Sequence, residues 1–220
     1  MAYRRTERVL DRLAGRREDI LRAACETAAE HGLAAVQIVA VAERAGIAAG
    51  TVYRYFPTKA DLVAALLKAI AEQEAGAIRS AVSAAPGPLS ALAAAIVTFA
   101  TRTMRRPGPV NVLLTEPVER ELHGLRRDCR RALVGEFEAA MRAAIAGGHL
   151  PDQETGIGAA AVFGLLVECA TDPLASDRAG PAAYRQAAQE AALLALRALG
   201  VGEARARGLI VQVPWPAETA

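Results

Sequence analysis

Apolar residues recur along this chain at intervals of three and four, the spacing that places side chains on one face of an α-helix. Ile20, Leu21, Ala24 and Ala28 show it within residues 19–30. The same spacing predicts further helices over residues 36–45, 49–55, 59–83, 89–106, 110–116, 122–146, 152–170 and 181–199. Strand-forming residues never cluster for long, so the predicted fold class is all-α.

Glycine and proline mark the ends of these helices. Gly46 follows the second helix, and Pro57 ends the third because the residue before a proline avoids the helical region. Thr58 and Asp61 form a capping box at the start of the fourth, each side chain accepting the other residue's backbone N–H. Residues 206–220 are predicted to form an irregular tail.

Composition favours a helical protein with a sizeable core. Of the 220 residues, 53% are hydrophobic and 4% aromatic. About a quarter are alanine, the residue with the highest helix propensity. The apolar fraction is too high for a disordered chain. The length allows one or two domains, since a domain usually has about 100–200 residues.

The net charge of +2 conceals an uneven distribution. Residues 1–68 contain 11 Lys and Arg against 8 Asp and Glu, whereas residues 69–220 contain 15 against 16. This basic first part suggests contact with a polyanion, although a solvated basic tail has the same composition. Charge and helix pattern together predict a basic arm at residues 1–16, a domain at residues 17–68 and a second domain at residues 69–205.

Cysteine spacing and the apolar runs favour a cytoplasmic protein. Cys25, Cys129 and Cys169 lie far apart with no CxxC pair, which is typical of a reducing compartment. The Arg-rich N-terminus lacks the apolar stretch of a signal peptide. The longest apolar run, residues 157–167, is too short to span a membrane, which needs ~20 residues. We therefore expect a soluble protein without a membrane segment.

Residues 36–56 have the pattern of a helix-turn-helix, with a tight turn at Gly46 between two short helices. The second helix crowds polar and aromatic side chains into one segment: Thr51, Tyr53, Arg54 and Tyr55. Arginine can pair with guanine or phosphate, and tyrosine hydroxyls suit phosphate oxygens. Gly50 allows close approach of the backbone. On the pattern alone, an ordinary helical hairpin with surface tyrosines is an alternative.

The run from residue 41 to residue 62 resembles the DNA-binding signature of TetR-family transcriptional repressors. Three segments occur together at that family's spacing: Ala45-Gly46-Ile47, Gly50-Thr51-Val52-Tyr53 and Tyr55-Phe56-Pro57-Thr58-Lys59. The resemblance covers about residues 17–67. It implies an N-terminal three-helix domain with a helix-turn-helix, followed by a larger helical domain for ligand binding and dimerisation.

The resemblance also implies which residues contact DNA. With the basic arm included, the candidates are Arg4, Arg5, Gln37, Arg44, Gly50, Thr51, Tyr53, Arg54, Tyr55 and Lys59. Lys59 would hold a phosphate at the start of the fourth helix, where the helix dipole favours an anion. Val52 and Phe56 would instead pack the small domain.

The chain departs from the family pattern at several positions. Ala48 and Ala49 stand where the family often has serine and a polar residue, Val36 where it often has threonine, and Val39 where it often has a polar residue. Fewer side chains are therefore available for DNA contact. Either the N-terminal arginines compensate, or DNA affinity is modest.

Residues 69–220 contain no convincing catalytic set. His123 and His149 are isolated, and there is no metal-ligand spacing, no GxSxG and no glycine-rich nucleotide motif. We therefore expect no metal, no cofactor and no enzymatic activity. The alternatives are a DNA-binding architectural or protein-interaction module without a ligand, and a helical enzyme.

The predicted helices at residues 152–170 and 181–199 are apolar nearly all round and rich in alanine and glycine. Such helices need more burial than one small domain supplies, and small residues allow close helix approach. We therefore predict a homodimer through residues 157–170 and 181–199. A monomeric bundle with these helices at its centre is the alternative.

Ligand-binding candidates are apolar or acidic side chains on the helices of the second domain. They are Phe99, Met104, Glu116, Phe137, Met141, Phe163 and Glu168. Core packing is the alternative for each aromatic residue and methionine. Glu168 either binds a cationic or hydroxyl-bearing ligand, pairs with an arginine, or lies at an exposed helix end.

Together, these features predict a sequence-specific DNA-binding regulator. It is a homodimeric repressor that a small molecule releases from a palindromic double-stranded operator. The sequence names neither the effector nor the operator.

Overall fold

In the computed structural model, the described residues are 2–105, 108–171 and 181–214, with side chains described from residue 15 onward except at Pro181. Every regular element within these ranges is helical. The ten α-helices described are α1 Ala2–His31, α2 Ile38–Arg44, α3 Ala49–Tyr55, α4 Lys59–Ala84, α5 Pro88–Met104, α6 Pro109–Leu114, α7 His123–Ala146, α8 Thr155–Thr171, α9 Pro181–Ala198 and α10 Glu203–Gln212. Two short 3-10 turns cover Leu33–Ala35 and Arg120–Leu122.

The all-α prediction is confirmed, but the predicted start of the first helix at residue 19 is wrong. Helix α1 begins at Ala2, so the arm predicted at residues 1–16 continues into α1 as helical backbone. Arginine, glutamate, leucine and alanine dominate this segment, and all four have high helix propensity. The many charged residues there obscured the apolar periodicity.

The prediction of an irregular tail from residue 206 is also wrong over most of the described part. Helix α10 spans Glu203–Gln212, and its Ala206 and Ile210 lie four residues apart on a buried face. Arg207 and Glu203 add an ion pair of 2.8 Å between successive turns of the helix. This apolar stripe is too short to stand out in the sequence. Residues 215–220 lie outside the described residues, as does residue 106 at the predicted end of the fifth helix.

Helix α5 is the centre of the C-terminal part. It contacts α4, α6, α7, α8, α9 and α10, and Leu92, Ile96 and Phe99 are fully buried on it. The N-terminal part is built from α1, α2 and α3 with the first turns of α4. Helix α4 packs against α1 at its start and against α5 and α7 along its length, so one helix connects both parts.

A buried ion pair joins α4 to α5. The Glu74 carboxylate is only 1% exposed and binds Arg102 twice, with Nε to Oε2 at 2.5 Å and Nη2 to Oε1 at 2.7 Å. These hydrogen bonds raise the pKa of Arg102. The bidentate geometry fixes the rotation of α4 relative to α5 as well as their distance.

Replacing Glu74 by alanine leaves the partly buried Arg102 guanidinium without its carboxylate. We expect the free energy of unfolding to fall by about 3 kcal/mol, as when one member of a buried pair is removed. Urea denaturation followed by circular dichroism measures this loss. Glu72→Ala is the matched control, because Glu72 is exposed and Arg79 keeps Glu136 as a second partner. Its loss is below about 1 kcal/mol. Equal losses in the two variants would contradict this role of Glu74.

Candidate nucleic-acid interface

The turn between α2 and α3 has a defined geometry that depends on Gly46. The backbone of Gly46 has φ 65°, a left-handed conformation that glycine adopts without strain. Its N–H donates to the Glu43 carbonyl at 3.1 Å, and the Ile47 N–H donates to the Ala42 carbonyl at 3.0 Å. This pair of bonds is the Schellman ending of a helix. It ends α2 and redirects the chain into α3, as the helix-turn-helix pattern predicts.

One face of α3 is held by the hydrophobic core. Val52 is fully buried, and Phe56, directly after the helix, is 2% exposed. Val41 of α2 is also fully buried. The Arg17 guanidinium of α1 lies over the Phe56 ring at 5.3 Å from its centroid. Val52 and Phe56 therefore pack the small domain, and the opposite face of α3 is directed to solvent.

That outer face carries the predicted contact residues. Tyr53 is 51% exposed, Arg54 and Gly50 are exposed, and Thr51 and Tyr55 are half-buried. No ion pair to Arg54 is formed within residues 15–105, 108–171 and 182–214. The guanidinium of Arg54 is therefore available to an external acceptor.

The start of α4 lies immediately after α3 and carries the predicted capping box. The Asp61 N–H donates to Thr58 Oγ1 at 3.1 Å, and the Thr58 N–H donates to Asp61 Oδ2 at 3.1 Å. Lys59 is the first residue of α4 and is half-buried. The box fixes the first turn of the helix and with it the position of the Lys59 backbone.

Two further candidates are engaged within the protein. Arg44 Nη1 donates to Glu30 Oε1 at 2.9 Å, a second bond joins Nη2 to Oε2, and Glu26 lies 3.6 Å from Nη1. The Glu30 hydrogen bonds raise the pKa of Arg44, and Arg44 lowers the pKa of Glu30. The Gln37 amide donates to the Ala34 carbonyl at 3.0 Å. Arg44 thus ties α2 to α1, a role that the sequence pattern did not suggest.

The remaining positions of the interface differ in what they contribute. The side chains of Arg4 and Arg5 lie outside the described residues. Ala48 is the residue before α3 and provides no side-chain cap, in agreement with the departure seen in the sequence. Val39 on α2 is 56% exposed, although it was not among the predicted contacts. The sequence could have indicated this exposure, because Val39 follows Ile38 directly and therefore lies off the apolar face of α2.

The aromatic and methionine ligand candidates are all buried in the C-terminal core. They are Phe99, Met104, Phe137, Met141 and Phe163. The Phe99 and Phe137 rings meet edge to face at 5.5 Å, and the Phe99 and Phe163 rings stack at 5.3 Å. These three rings join α5, α7 and α8. The arrangement agrees with the core-packing alternative.

The two acidic candidates lie in different places. The Glu116 carboxylate oxygens lie 3.4 Å from the point where a Cβ on Gly32 would stand, so Glu116 is at the junction with the end of α1. Glu168 is exposed near the end of α8, and its backbone carbonyl accepts a hydrogen bond from Thr171. This exposure fits the third of the three roles considered for Glu168, and its role in ligand binding stays a prediction.

A groove of about 500 Å³ lies elsewhere, between the end of α4, the start of α5 and α10. Ser80, Ala84, Ser90, Thr98 and Leu209 line it, and it contains none of the predicted ligand residues. Over the described part of the chain, no three His, Cys, Asp or Glu side chains are placed to hold a metal ion. None of the helices in that part is long and apolar enough to cross a membrane.

The helix-turn-helix coincides with a known family domain. Residues 20–66 match the model of the bacterial regulatory proteins of the tetR family. The HTH-type transcriptional repressor KstR of Mycobacterium tuberculosis is 42% identical over 106 residues, which are 48% of this chain and 46% of that protein. The chain spans about half the length of the curated relatives it matches.

Two solved structures share the fold over nearly the whole chain. The transcriptional regulator FadR from Bacillus subtilis, in complex with stearoyl-CoA, has a TM-score of 0.68 at 21% identity, covering 81% of this chain and 96% of that one. RolR in complex with resorcinol has a TM-score of 0.65 at 20% identity, covering 94% and 98%. Both likenesses show the shared fold, and residues 20–66 of this chain match the domain of the bacterial regulatory proteins of the tetR family.

Proposed function

We propose that the protein is a transcriptional repressor that binds a palindromic DNA operator as a homodimer in the cytoplasm and is released by a small molecule. The observation that carries this proposal is the outer face of α3. Val52 and Phe56 are buried and anchor the helix, while Tyr53 and Arg54 face solvent and Arg54 has no ion-pair partner among the described side chains. Its buried face is fixed, so the helix can enter a major groove as one rigid unit.

The outer face carries side chains suited to two kinds of DNA contact, namely contacts to bases and contacts to phosphates. Arg54 has the donor geometry that pairs with guanine O6 and N7. Hydroxyl groups of Thr51 and Tyr53 and the ammonium of Lys59 suit phosphate oxygens, which position the protein on the duplex. Ala48 and Ala49 add no polar contact, so the proposed interface depends on few side chains.

Apolar exposure on α8 and α9 supports the homodimer. Ile157 is 71% and Leu194 52% exposed in the single chain. Three small residues of α8 beside this surface are also exposed, namely Ala160, Ala161 and Gly164. Pairing α8 and α9 with those of a second copy would bury this surface and place two copies of α3 on a palindromic site.

In this proposal, residues 17–68 bind DNA, and residues 69–205 bind the ligand and form the dimer. FadR in complex with stearoyl-CoA and RolR in complex with resorcinol both share the fold of this chain, although their ligands are very different. The fold therefore favours a small-molecule effector without naming one. Because α4 belongs to both parts, a ligand that shifts α4 changes the position of α3, provided that it binds the two arrangements with different affinity.

Arg54→Ala tests the proposed reading role. We expect binding to duplexes retained by the wild-type protein to weaken by about 1–3 kcal/mol, because a base-pairing guanidinium is lost. Fluorescence anisotropy at one fixed salt concentration measures this change. Arg131→Ala is the control, since Arg131 is exposed on α7 and remote from α3. If Arg54→Ala and Arg131→Ala bind as tightly as the wild type, Arg54 has no part in DNA binding.

The dimer is tested with the double variant Ile157→Arg, Leu194→Arg. We expect its dimer dissociation constant to rise by about a hundredfold or more, because each charge buried without a partner costs several kcal/mol. Sedimentation equilibrium gives the constant directly. Val39→Arg places the same charge on an equally exposed apolar site of α2 and leaves the dimer intact. A double variant that stays dimeric at wild-type concentrations would place the interface elsewhere.

A further inference from the structure

Two arginines on one face of α7 point at the end of α6. Arg126 Nη1 donates to the Glu116 carbonyl at 2.7 Å, and Arg130 Nη1 donates to the Leu114 carbonyl at 3.2 Å. The two residues are four positions apart, so their guanidinium groups are neighbours on the helix surface. Throughout the described side chains, no carboxylate lies within ion-pair distance of either one.

Their surroundings make this lack of counter-charge costly. Both side chains are half-buried, and the Arg130 guanidinium lies over the Phe163 ring at 5.3 Å from its centroid. Burial, followed by the charge of Arg126, lowers the pKa of Arg130. Arg102, which is also half-buried in this domain, has Glu74 as its carboxylate partner. Arg126 and Arg130 differ from it in having no carboxylate partner among the described side chains.

We propose, as an extension of the regulator function above, that Arg126 and Arg130 bind an oxyanion, a carboxylate or phosphate group of the effector. A guanidinium has five N–H donors, and the contacts to the carbonyls of Leu114 and Glu116 occupy one on each arginine. The remaining donors form a fork suited to two oxygens of one anion. Bound there, the anion removes the repulsion between the two arginines.

The position of this site also connects it to DNA binding. The carbonyls held by the two arginines belong to the segment that ends α6, and the Glu116 carboxylate of the same segment lies against Gly32 at the end of α1. An oxyanion bound by the remaining donors shares the two guanidinium groups with these carbonyls, so its binding is coupled to the position of that segment. The site thus acts at a contact between the ligand-binding and DNA-binding parts.

Isothermal calorimetry on the full chain without DNA tests the site directly. The probes are inorganic phosphate, octanoate and the uncharged octanol of equal chain length. We expect octanoate or phosphate to bind the wild type, and Arg126→Gln, Arg130→Gln to weaken that binding by about tenfold or more, because charge-assisted hydrogen bonds are lost. Binding of octanoate alone identifies an amphiphilic carboxylate, and binding of phosphate alone a free or esterified phosphate.

Two further variants separate charge from structure. Arg127→Gln, Arg131→Gln removes the same charge from the exposed side of α7 and should leave binding unchanged. Arg126→Lys, Arg130→Lys keeps the charge and should restore part of the affinity that glutamine removes. The proposal is overturned if neither anion binds the wild type, if octanol binds as tightly as octanoate, or if the glutamine variant at positions 126 and 130 binds like the wild type.

Failure of this site and failure of the regulator function give different results. Without operator binding but with arginine-dependent anion binding, the proposed repressor function is wrong and the anion site stands. With operator binding but no anion binding, the function stands and this inference is wrong. With both, the bound anion should weaken operator affinity in the wild type and leave it unchanged in the glutamine variant.

Discussion

Helix α4 runs through the hydrophobic core that joins the N-terminal and C-terminal parts, and the rest of the structure depends on its burial at both ends. Leu62 and Leu66 are fully buried near its start, where α4 packs against α1, and Ile78 is fully buried further along. The Glu74–Arg102 pair fixes its rotation against α5. The capping box of Thr58 and Asp61 fixes the first turn of α4, which follows α3 directly. A displacement of one end of α4 therefore also moves the other end.

Five arginines in the described part of the chain have three different physical environments. Arg44 and Arg102 are paired with glutamates and hold helices together. Arg54 is exposed on the outer face of α3 and forms no ion pair with any described side chain, so an external acceptor could bind it. Arg126 and Arg130 are half-buried and hold backbone carbonyls. The net charge of the chain is small because 24 Asp and Glu balance most of the 26 Lys and Arg, and the excess of basic residues lies within residues 1–68.

Local rules in the sequence predicted the helix-turn-helix and the start of α4 correctly. The bounds of α3, the turn at Gly46 and the capping box at Thr58 follow from glycine, proline and side-chain hydrogen bonding within a few residues. The start of α1 was missed because about half of the residues in its first half are charged, which obscures the apolar periodicity. Helix α10 was missed because its buried stripe is short.

Features that depend on contacts between distant residues could not be predicted in this way. An apolar side chain such as Phe137 has the same pattern whether it lines a cavity or fills a core, and the structure places it against Phe99. The pairing of Arg44 with Glu30 and the contact of Arg130 with the Leu114 carbonyl depend on how helices meet in space. Sequence spacing within one helix carries no record of that.

Selection from a random pool of duplex DNA by the purified protein tests the central claim most directly. Two copies of α3 related by a two-fold axis should enrich a pseudo-palindrome whose half-sites are centred about 10 base pairs apart, or a multiple of that spacing. Recovery of such a motif, lost on exchange of either half-site, is the result expected of a dimeric sequence-specific regulator. Retention of random duplexes without any enriched motif would contradict it.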